Sequence, residues 1–373
     1  MTNAARPNPL AAALADYPWD ALAPAKQRAS AHPGGIVDLS IGTPVDDTPE
    51  VAVEALSAAG NSPGYPTVAG TPALRSAAAG YLARRAGADV GPDAVLPTIG
   101  SKEFVAWLPT QLALGPDDVV VIPSAAYPTY EAGAVIAGCQ VVATDDLQSL
   151  SGVRPKLVWL NSPSNPTGRI ADVAELKANV DLARSWGAVV ASDECYLEFA
   201  WDAPAVSVLD PRVSGGDHTG LLAVHSLSKI ANLAGYRAGF VAGDPQIIAD
   251  LTSIRRHAGM IISRPVQQAM IALLGTDDHI DRQRERYRAR RTLLRPALER
   301  AGFRVDDSQG SLYLWITDAD GDCWKTVDRL ADLGILVGPG AFYGKNSGDH
   351  VRVALTATDE RIQAAVERLS AAS

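Results

Sequence analysis

Between residues 45 and 255 short, almost purely apolar runs alternate with stretches of helical periodicity, and this leaves few folds open to the chain. The runs are VVVIP at 119–123, LVWLN at 157–161, AVVAS at 188–192, LLAVH at 221–225 and AGFVAG at 238–243. Segments such as ADVAELKANVDLARSWG (171–187) separate them. A strand with one wet face alternates apolar and polar residues, whereas a continuously apolar strand is covered on both faces. Such strands joined by helices predict an α/β fold, a mostly parallel sheet with helices on both sides.

The flanks read differently. The first thirty-odd residues are rich in Pro and Ala and predict an arm with a short helix, and IVDLSIGTP (36–44) predicts a short strand entering a turn at Gly42 and Pro44. A long helix is expected from about Asp278 to Ala301, solvated because DRQRERYRARR carries so many charges. Beyond it, FRVDDSQGSLYLWIT, GILVG and HVRVALT predict strands of a smaller α+β domain closed by a helix through DERIQAAVERLS. A chain of 373 residues exceeds one small core. The expected division is an arm and part of the small domain at 1–44, a large domain at 45–255, and a connector helix with the small domain at 256–373.

The formal net charge is −9, which argues against a general binder of nucleic acid or anionic membrane, since both need a broad basic surface. Cys139, Cys195 and Cys323 lie far apart without metal spacing, and the histidines show no pairing at helical spacing, so no metal site is expected. Reduced thiols, the lack of a signal-peptide pattern in MTNAARPNPLAAAL and the lack of a membrane-length apolar run predict a cytoplasmic protein.

The densest chemistry lies in HSLSKIANLAGYRAGF (225–240). Ser226, Ser228 and, eight residues after the lysine, Arg237 surround Lys229. Hydroxyls and a guanidinium suit a phosphate. A lysine among them would meet a phosphorylated aldehyde as a Schiff base, and pyridoxal phosphate is the cofactor needing that combination. A loop lysine beside ordinary serines is the plainer alternative.

Other strand ends supply complementary groups. Asp193, after AVVAS, could hold a proton on a pyridine nitrogen, with Tyr196 donating to the ring's phenolic oxygen; a helix cap is the alternative. Asn165, in NSPSNPTG (161–168), sits in a tight turn and could donate to a ring oxygen or a substrate carboxylate. Gly100-Ser101-Lys102-Glu103 opens a helix whose free N–H groups suit a phosphate, or merely caps it. Tyr127 could stack on a ring or pack into the core. Tyr65 lies on a loop before a helix and could reach a phosphate. Arg352, on a half-buried strand, needs a partner, either a structural carboxylate or an incoming one.

Taken in order, these motifs resemble the aspartate-aminotransferase superfamily, the fold-type I pyridoxal-phosphate enzymes, over nearly the whole chain. That resemblance implies pyridoxal 5'-phosphate as cofactor, Lys229 as the lysine that bonds it, Asp193 on the pyridine nitrogen, Tyr196 and Asn165 on the ring hydroxyl and Tyr127 stacked. It places Ser226, Ser228, Arg237, Ser101 and Lys102 at the phosphate. Tyr65 would reach into the other subunit of a homodimer, and Gly42 and Arg352 would face the substrate, with Arg352 on its α-carboxylate. More narrowly, GIVDLSIGTPVD, GYPTVAGTPALR, LNSPSNPTGR, SDECYL, LAGYRAGF and HVRVALTATDER are similar to the actinobacterial succinyldiaminopimelate aminotransferases, with a departure at Ile-Ala-Asn after Lys229. The implied partners are an amino donor, N-succinyl-LL-2,6-diaminopimelate, and the oxo acid 2-oxoglutarate.

Another aminotransferase or a carbon–sulfur lyase on the same scaffold is the nearest alternative. A pyridoxal-phosphate-binding regulator and a nucleotide-binding α/β protein are more distant ones. Lys102 and Arg255-Arg256-His257 are the cations the sequence offers for a distal carboxylate, with a solvated surface charge as the alternative for each.

Overall fold

The computed structural model describes residues 8–14 and 18–372, so parts of the expected arm, 1–7 and 15–17, lie outside the described residues. In chain order the strands are β1 (Val37–Asp38), β2 (Val95–Ile99), β3 (Val119–Ile122), β4 (Gln140–Ala143), β5 (Leu157–Asn161), β6 (Val189–Asp193) and β7 (Leu221–Ser226). There follow β8 (Ala238–Gly243), β9 (Arg304–Asp306), β10 (Tyr313–Thr317), β11 (Ile335–Leu336), β12 (Gly338–Pro339) and β13 (Val351–Ala354). The large sheet has the order β2-β8-β7-β6-β5-β3-β4.

All five apolar runs form strands of this sheet. Successive residues go to opposite cores, as a pleat requires. Leu157 and Trp159 of β5 join the core under the helices Gly100–Gln111 and Thr129–Ala137, whereas Val158 faces the core that Val173–Ser185 covers. The same split separates Leu222 and Val224 from Leu221 and Ala223 on β7. This double covering explains why the runs are continuously apolar. β4 carries only a weak apolar signal because it is a partly exposed edge strand.

One strand departs from the parallel pattern: β8 runs antiparallel to both β7 and β2. Its link from β7 holds only two single-turn helices, Leu227–Ile230 and Ala234–Tyr236. That is less than the full helix a parallel crossover normally uses. The short return keeps Lys229 and Arg237 near the end of the sheet where β5, β6 and β7 finish.

The small domain is built on the antiparallel sheet β12-β13-β10-β9, with the helices Cys323–Asp332 and Asp359–Ala371. β1 pairs parallel with β11 and is only two residues long. The Asp38 carboxylate accepts from the Ser40 N–H (3.0 Å) and hydroxyl (2.6 Å), which turns the chain at once. The helix Arg264–Leu274 packs on Glu50–Ala58 and Pro72–Tyr81 and carries the chain to the connector.

The connector helix, Asp278–Arg300, is solvated on one face as its charges predict, with Asp281, Arg282, Glu285 and Arg288 exposed, but its other face is buried. Ile280, Tyr287 and Leu294 face the core, and Arg290 is buried. Its Nη2 and Nη1 donate to Asp46 at 2.7 and 2.9 Å, and Nε donates to Asp359 at 2.6 Å. Burial of Asp46 is outweighed by Arg290 and Gln283, which hold its carboxyl below the usual range. Replacing one partner of a buried ion pair strands the other.

Arg290→Ala is expected to destabilise the protein by about 3 kcal/mol, read as a lower urea midpoint. Because the folded Asp46 value is depressed, its contribution is complete above about pH 4 and is lost as pH falls through the folded value. The gap between wild type and variant should therefore close in acid. A constant gap from pH 7 to pH 3 would show that the pair does not carry the effect.

Candidate active site

The strand ends β5, β6 and β7 meet the small domain at a cavity of about 790 Å³. Its walls include Ser101, Lys102, Tyr127, Asn165, Asp193, Tyr196 and Lys229 from the large domain, and Gly42, Tyr313 and Arg352 from the small one. Residues spread over three hundred positions are thereby brought to one space, where open α/β sheets bind ligands.

Asp193 ends β6 and is buried. Tyr130 donates its hydroxyl to Asp193 Oδ2 at 2.8 Å, and the Cys195 N–H donates to Oδ1 at 3.2 Å. Burial raises the carboxyl above its ordinary value, against the lowering by these donors. Tyr130 is itself stacked on Trp159, ring centres 4.9 Å apart. The adjacent Asn161 donates to the Asp193 carbonyl (2.8 Å) and accepts from the Asn165 N–H (2.7 Å). It thus locks the 161–168 turn onto β6. Within that turn both X-Pro bonds are cis. Gly168, at φ +72°, has the Ser308 and Gly310 backbones where a Cβ would sit. The turn in this way docks on the small domain, through Ser308 N–H to Thr167 O and Gly310 N–H to Gly168 O. Behind Asp193, Glu194 accepts from Val208 N–H at 2.8 Å, and its Oε2 lies 3.4 Å from His225 Nε2. Burial pushes Glu194 up to about 7 and His225 down to about 3.

Lys229 donates to the Gly42 carbonyl at 2.5 Å. Gly42 is glycine for space: a Cβ would lie 2.0 Å from the Tyr313 hydroxyl. That hydroxyl is 3.0 Å from the hydroxyl of Tyr196. Burial pushes Tyr196 well up. In Tyr313 burial is outweighed by the charges of Arg352 and Lys229, which hold it below the ordinary tyrosine value. Burial takes Tyr127 up to about 12.

Arg352 is 3 % exposed and has no carboxylate within ion-pair reach among the described residues. Nη1 donates to Asn165 Oδ1 (2.8 Å) and Nη2 to Ser40 O (2.7 Å). The guanidinium carbon lies 4.0 and 4.9 Å from the ring centres of Tyr313 and Tyr343. The structural ion pair that the sequence left open is absent there.

At the opposite wall, β2 runs straight into the helix Gly100–Gln111. Gly100 has φ +71°, and a Cβ there would meet Arg237 Nη2 at 2.5 Å. A guanidinium is thus laid against a helix N-terminus, beside Ser101 and Lys102. Ser226 and Ser228 are buried close to Lys229 in sequence but do not line the cavity. Tyr65 is fully exposed, and within this chain it reaches none of these groups.

Arg255 is corrected. It is buried and donates twice to Glu103, at 2.8 Å each, so it is not available to a substrate. Arg256 and His257 are exposed on the helix Pro245–Ala258 and do not line the cavity. Tyr130, Asn161, Tyr313 and Glu103 were missed as site residues. Tyr130 lies in the same Tyr127-Pro-Thr-Tyr130 segment, in the first turn of the helix Thr129–Ala137 that begins two residues after Tyr127, and this nearness was the available signal. For Tyr313 the sequence carries none, since its contacts are all long-range.

The description "aminotransferase class I and II" matches residues 35–369. The 4-dedimethylamino-4-oxo-anhydrotetracycline transaminase OxyQ of Streptomyces rimosus is 55 % identical, over 96 % of this chain and 99 % of its own. A probable aminotransferase, Rv1178, of Mycobacterium tuberculosis is 56 % identical over 97 % and 86 %. An LL-diaminopimelate aminotransferase of Gloeobacter violaceus is 34 % identical over 90 % and 91 %. Among solved structures, an aminotransferase of Neisseria meningitidis superposes with a TM-score of 0.90 at 32 % identity, covering 98 % of this chain and all of the other. A match of this extent, on a fold with a lysine and a buried carboxylate at the ends of a mostly parallel sheet, establishes that the chain belongs to the class I and II aminotransferases and depends on pyridoxal phosphate.

Proposed function

We propose that the chain transfers an amino group between N-succinyl-LL-2,6-diaminopimelate and 2-oxoglutarate, at sites shared between two copies of itself. The observation that carries the carboxylate-directed part is Arg352. A buried cation that, among the described residues, meets neutral oxygens and ring faces but no carboxylate, with its Nε left without an acceptor, is a ready receptor for a carboxylate, and it opens on the same cavity as Lys229.

The residues fit the cofactor. A side chain at Gly100 would collide with the Arg237 guanidinium, so a phosphate would meet that cation and the first N–H groups of the helix, with Ser101 and Lys102 at the cavity wall and Ser226 and Ser228 buried behind it. Asp193, raised by burial, gains from a cationic ring nitrogen, which returns it to its charged form. Asn165 has its carbonyl engaged by Arg352, leaving its amide N–H₂ to donate to a ring oxygen together with Tyr196. Tyr127 offers its ring face. When bound, pyridoxal phosphate supplies an aldehyde for an amine and a ring that withdraws the electron pair of the α-C–H bond.

The chain's own part is positioning and proton transfer. Arg352 fixes the α-carboxylate, and Asn165 holds Arg352 in place. Lys229 Nζ would take the α-proton as general base and deliver it across the amino nitrogen, two atoms along from the α-carbon. Gly42 lets its own carbonyl approach the lysine while Tyr313 packs against it.

Three features support the acidic donor: the segments shared with succinyldiaminopimelate aminotransferases, the likeness to an LL-diaminopimelate aminotransferase, and a cavity bearing Lys102, Lys229, Lys345 and Arg352 against Glu131 and Asp193. The identity to OxyQ favours a second reading, a cyclic ketone as amino acceptor. Tyr65 supports the dimer, since a fully exposed aromatic on this loop has nothing to do within one chain.

Lys229→Ala should abolish turnover and the visible absorbance of the lysine-bound cofactor while circular dichroism stays that of the wild type. Retained transamination would remove Lys229 from the reaction. Mixing Lys229→Ala with Tyr65→Phe subunits should restore activity, because one site of each mixed dimer then carries neither change. Activity no higher than the sum of the separate variants would count against shared sites. A donor panel with 2-oxoglutarate should rank the succinylated donor at least tenfold above aromatic and branched-chain amino acids in kcat/KM. Preference for those, or for a 4-oxo-anhydrotetracycline as acceptor, would overturn the substrate assignment alone.

A further inference from the structure

The far end of the cavity is built as tightly as the catalytic end, and none of the roles above uses it. It is formed by the loop 340–346, which follows β12 and leads towards β13. Two glycines pin this loop. A Cβ on Gly340 would stand 1.9 Å from Ser347 O, and one on Gly344, at φ +144°, would stand 2.4 Å from Ser124 O. The Ala126 N–H donates to Tyr343 O at 2.7 Å, tying the loop to the large domain beside Tyr127. Tyr343 is buried with its ring against Arg352. The loop that braces the α-carboxylate receptor therefore also sets where Phe342 and Lys345 leave the backbone, and both line the cavity.

Phe342 is held by Trp19 and Trp324, ring centres 5.3 and 5.8 Å away. Trp19, Ile41, Val135 and Ile136 complete an apolar wall. Lys345 is exposed and makes no ion pair among the described residues. An apolar wall ending in a cation unpaired by any carboxylate among the described residues matches a ligand with a methylene chain and a terminal anion. It gives little to a short or a neutral donor.

We propose that this loop and Trp19 form a distal subsite, in which Lys345 receives the far carboxylate of an elongated α-amino dicarboxylate while Trp19, Ile41, Val135, Ile136 and Phe342 cover its methylenes. The proposal rests on the acidic-donor reading above and assigns the residues that read the distal end. One local cation at the mouth also counters the repulsion that a chain of net charge −9 exerts on such a donor.

The test compares 2-aminopimelate with 2-aminoheptanoate, which have the same backbone length and differ only in the terminal carboxylate. The readout is the ratio of their kcat/KM values. Lys345→Glu should lower that ratio at least tenfold, through KM for 2-aminopimelate, and Lys345→Arg should keep it within about threefold of the wild type. The visible spectrum of bound cofactor confirms that each variant is assembled. A ratio unchanged in Lys345→Glu, or an equal loss with both donors, overturns the distal subsite. If the wild type handles the succinylated donor poorly yet the ratio collapses in Lys345→Glu, the subsite stands and the substrate reading falls. If the succinylated donor is preferred and the ratio does not move, the reverse holds.

Discussion

A buried guanidinium without a counter-ion organises the meeting of the two domains. Arg352 comes from β13 of the small domain, yet its Nη1 and Nη2 donate to Asn165 of the large domain and to Ser40 O next to β1, while its buried Nε finds no acceptor among the described residues. Removing an ion from water is costly unless every donor finds an acceptor. The neutral oxygens and the Tyr313 and Tyr343 faces meet most of that cost without neutralising the charge. The sheet register, the 161–168 turn and the 340–346 loop all serve to hold those partners. A carboxylate partner would stabilise the arginine better, and with none among the described residues the guanidinium stays charged and open on the cavity.

The large sheet was legible because its physics is local. Two covered faces force continuous apolar runs, and a strand end followed by a polar turn marks a binding edge. That logic placed Lys229, Asp193, Asn165 and Tyr127 around one cavity. The reversal of β8 was not legible, because AGFVAG reads alike in either direction. Burial of Arg290 was also hidden: the composition of its helix is that of a solvated one, and only the distant Asp46 explains the exception.

The misreading of Arg255 has the same origin. Glu103 lies 152 positions earlier, and its pairing with Arg255 across two helices leaves no trace in either local segment. Glycines were more informative than charges. Gly42, Gly100 and Gly168 each mark a place where a Cβ would collide with another element, and each sits beside a group of the candidate site. Their motifs were visible in the sequence, whereas what occupies the missing Cβ position was not. Tyr313, which fills the space over Gly42, was consequently passed over as an ordinary strand residue.

The Glu194–His225 contact changes how the protein's charge is counted. In an unfolded chain near pH 5.5 the glutamate is ionised and the imidazole protonated. In the folded core, with Glu194 near 7 and His225 near 3, the carboxyl carries the proton and the imidazole is neutral. Folding at that pH thus replaces an oppositely charged pair by a neutral one with no net exchange of protons with the solvent. Above the imidazole's ordinary value the unfolded chain no longer has that proton to give. Folding near neutrality, where a Glu194 near 7 is only partly protonated, then draws a fraction of a proton from the buffer, and the native protein is slightly less negative than its composition implies.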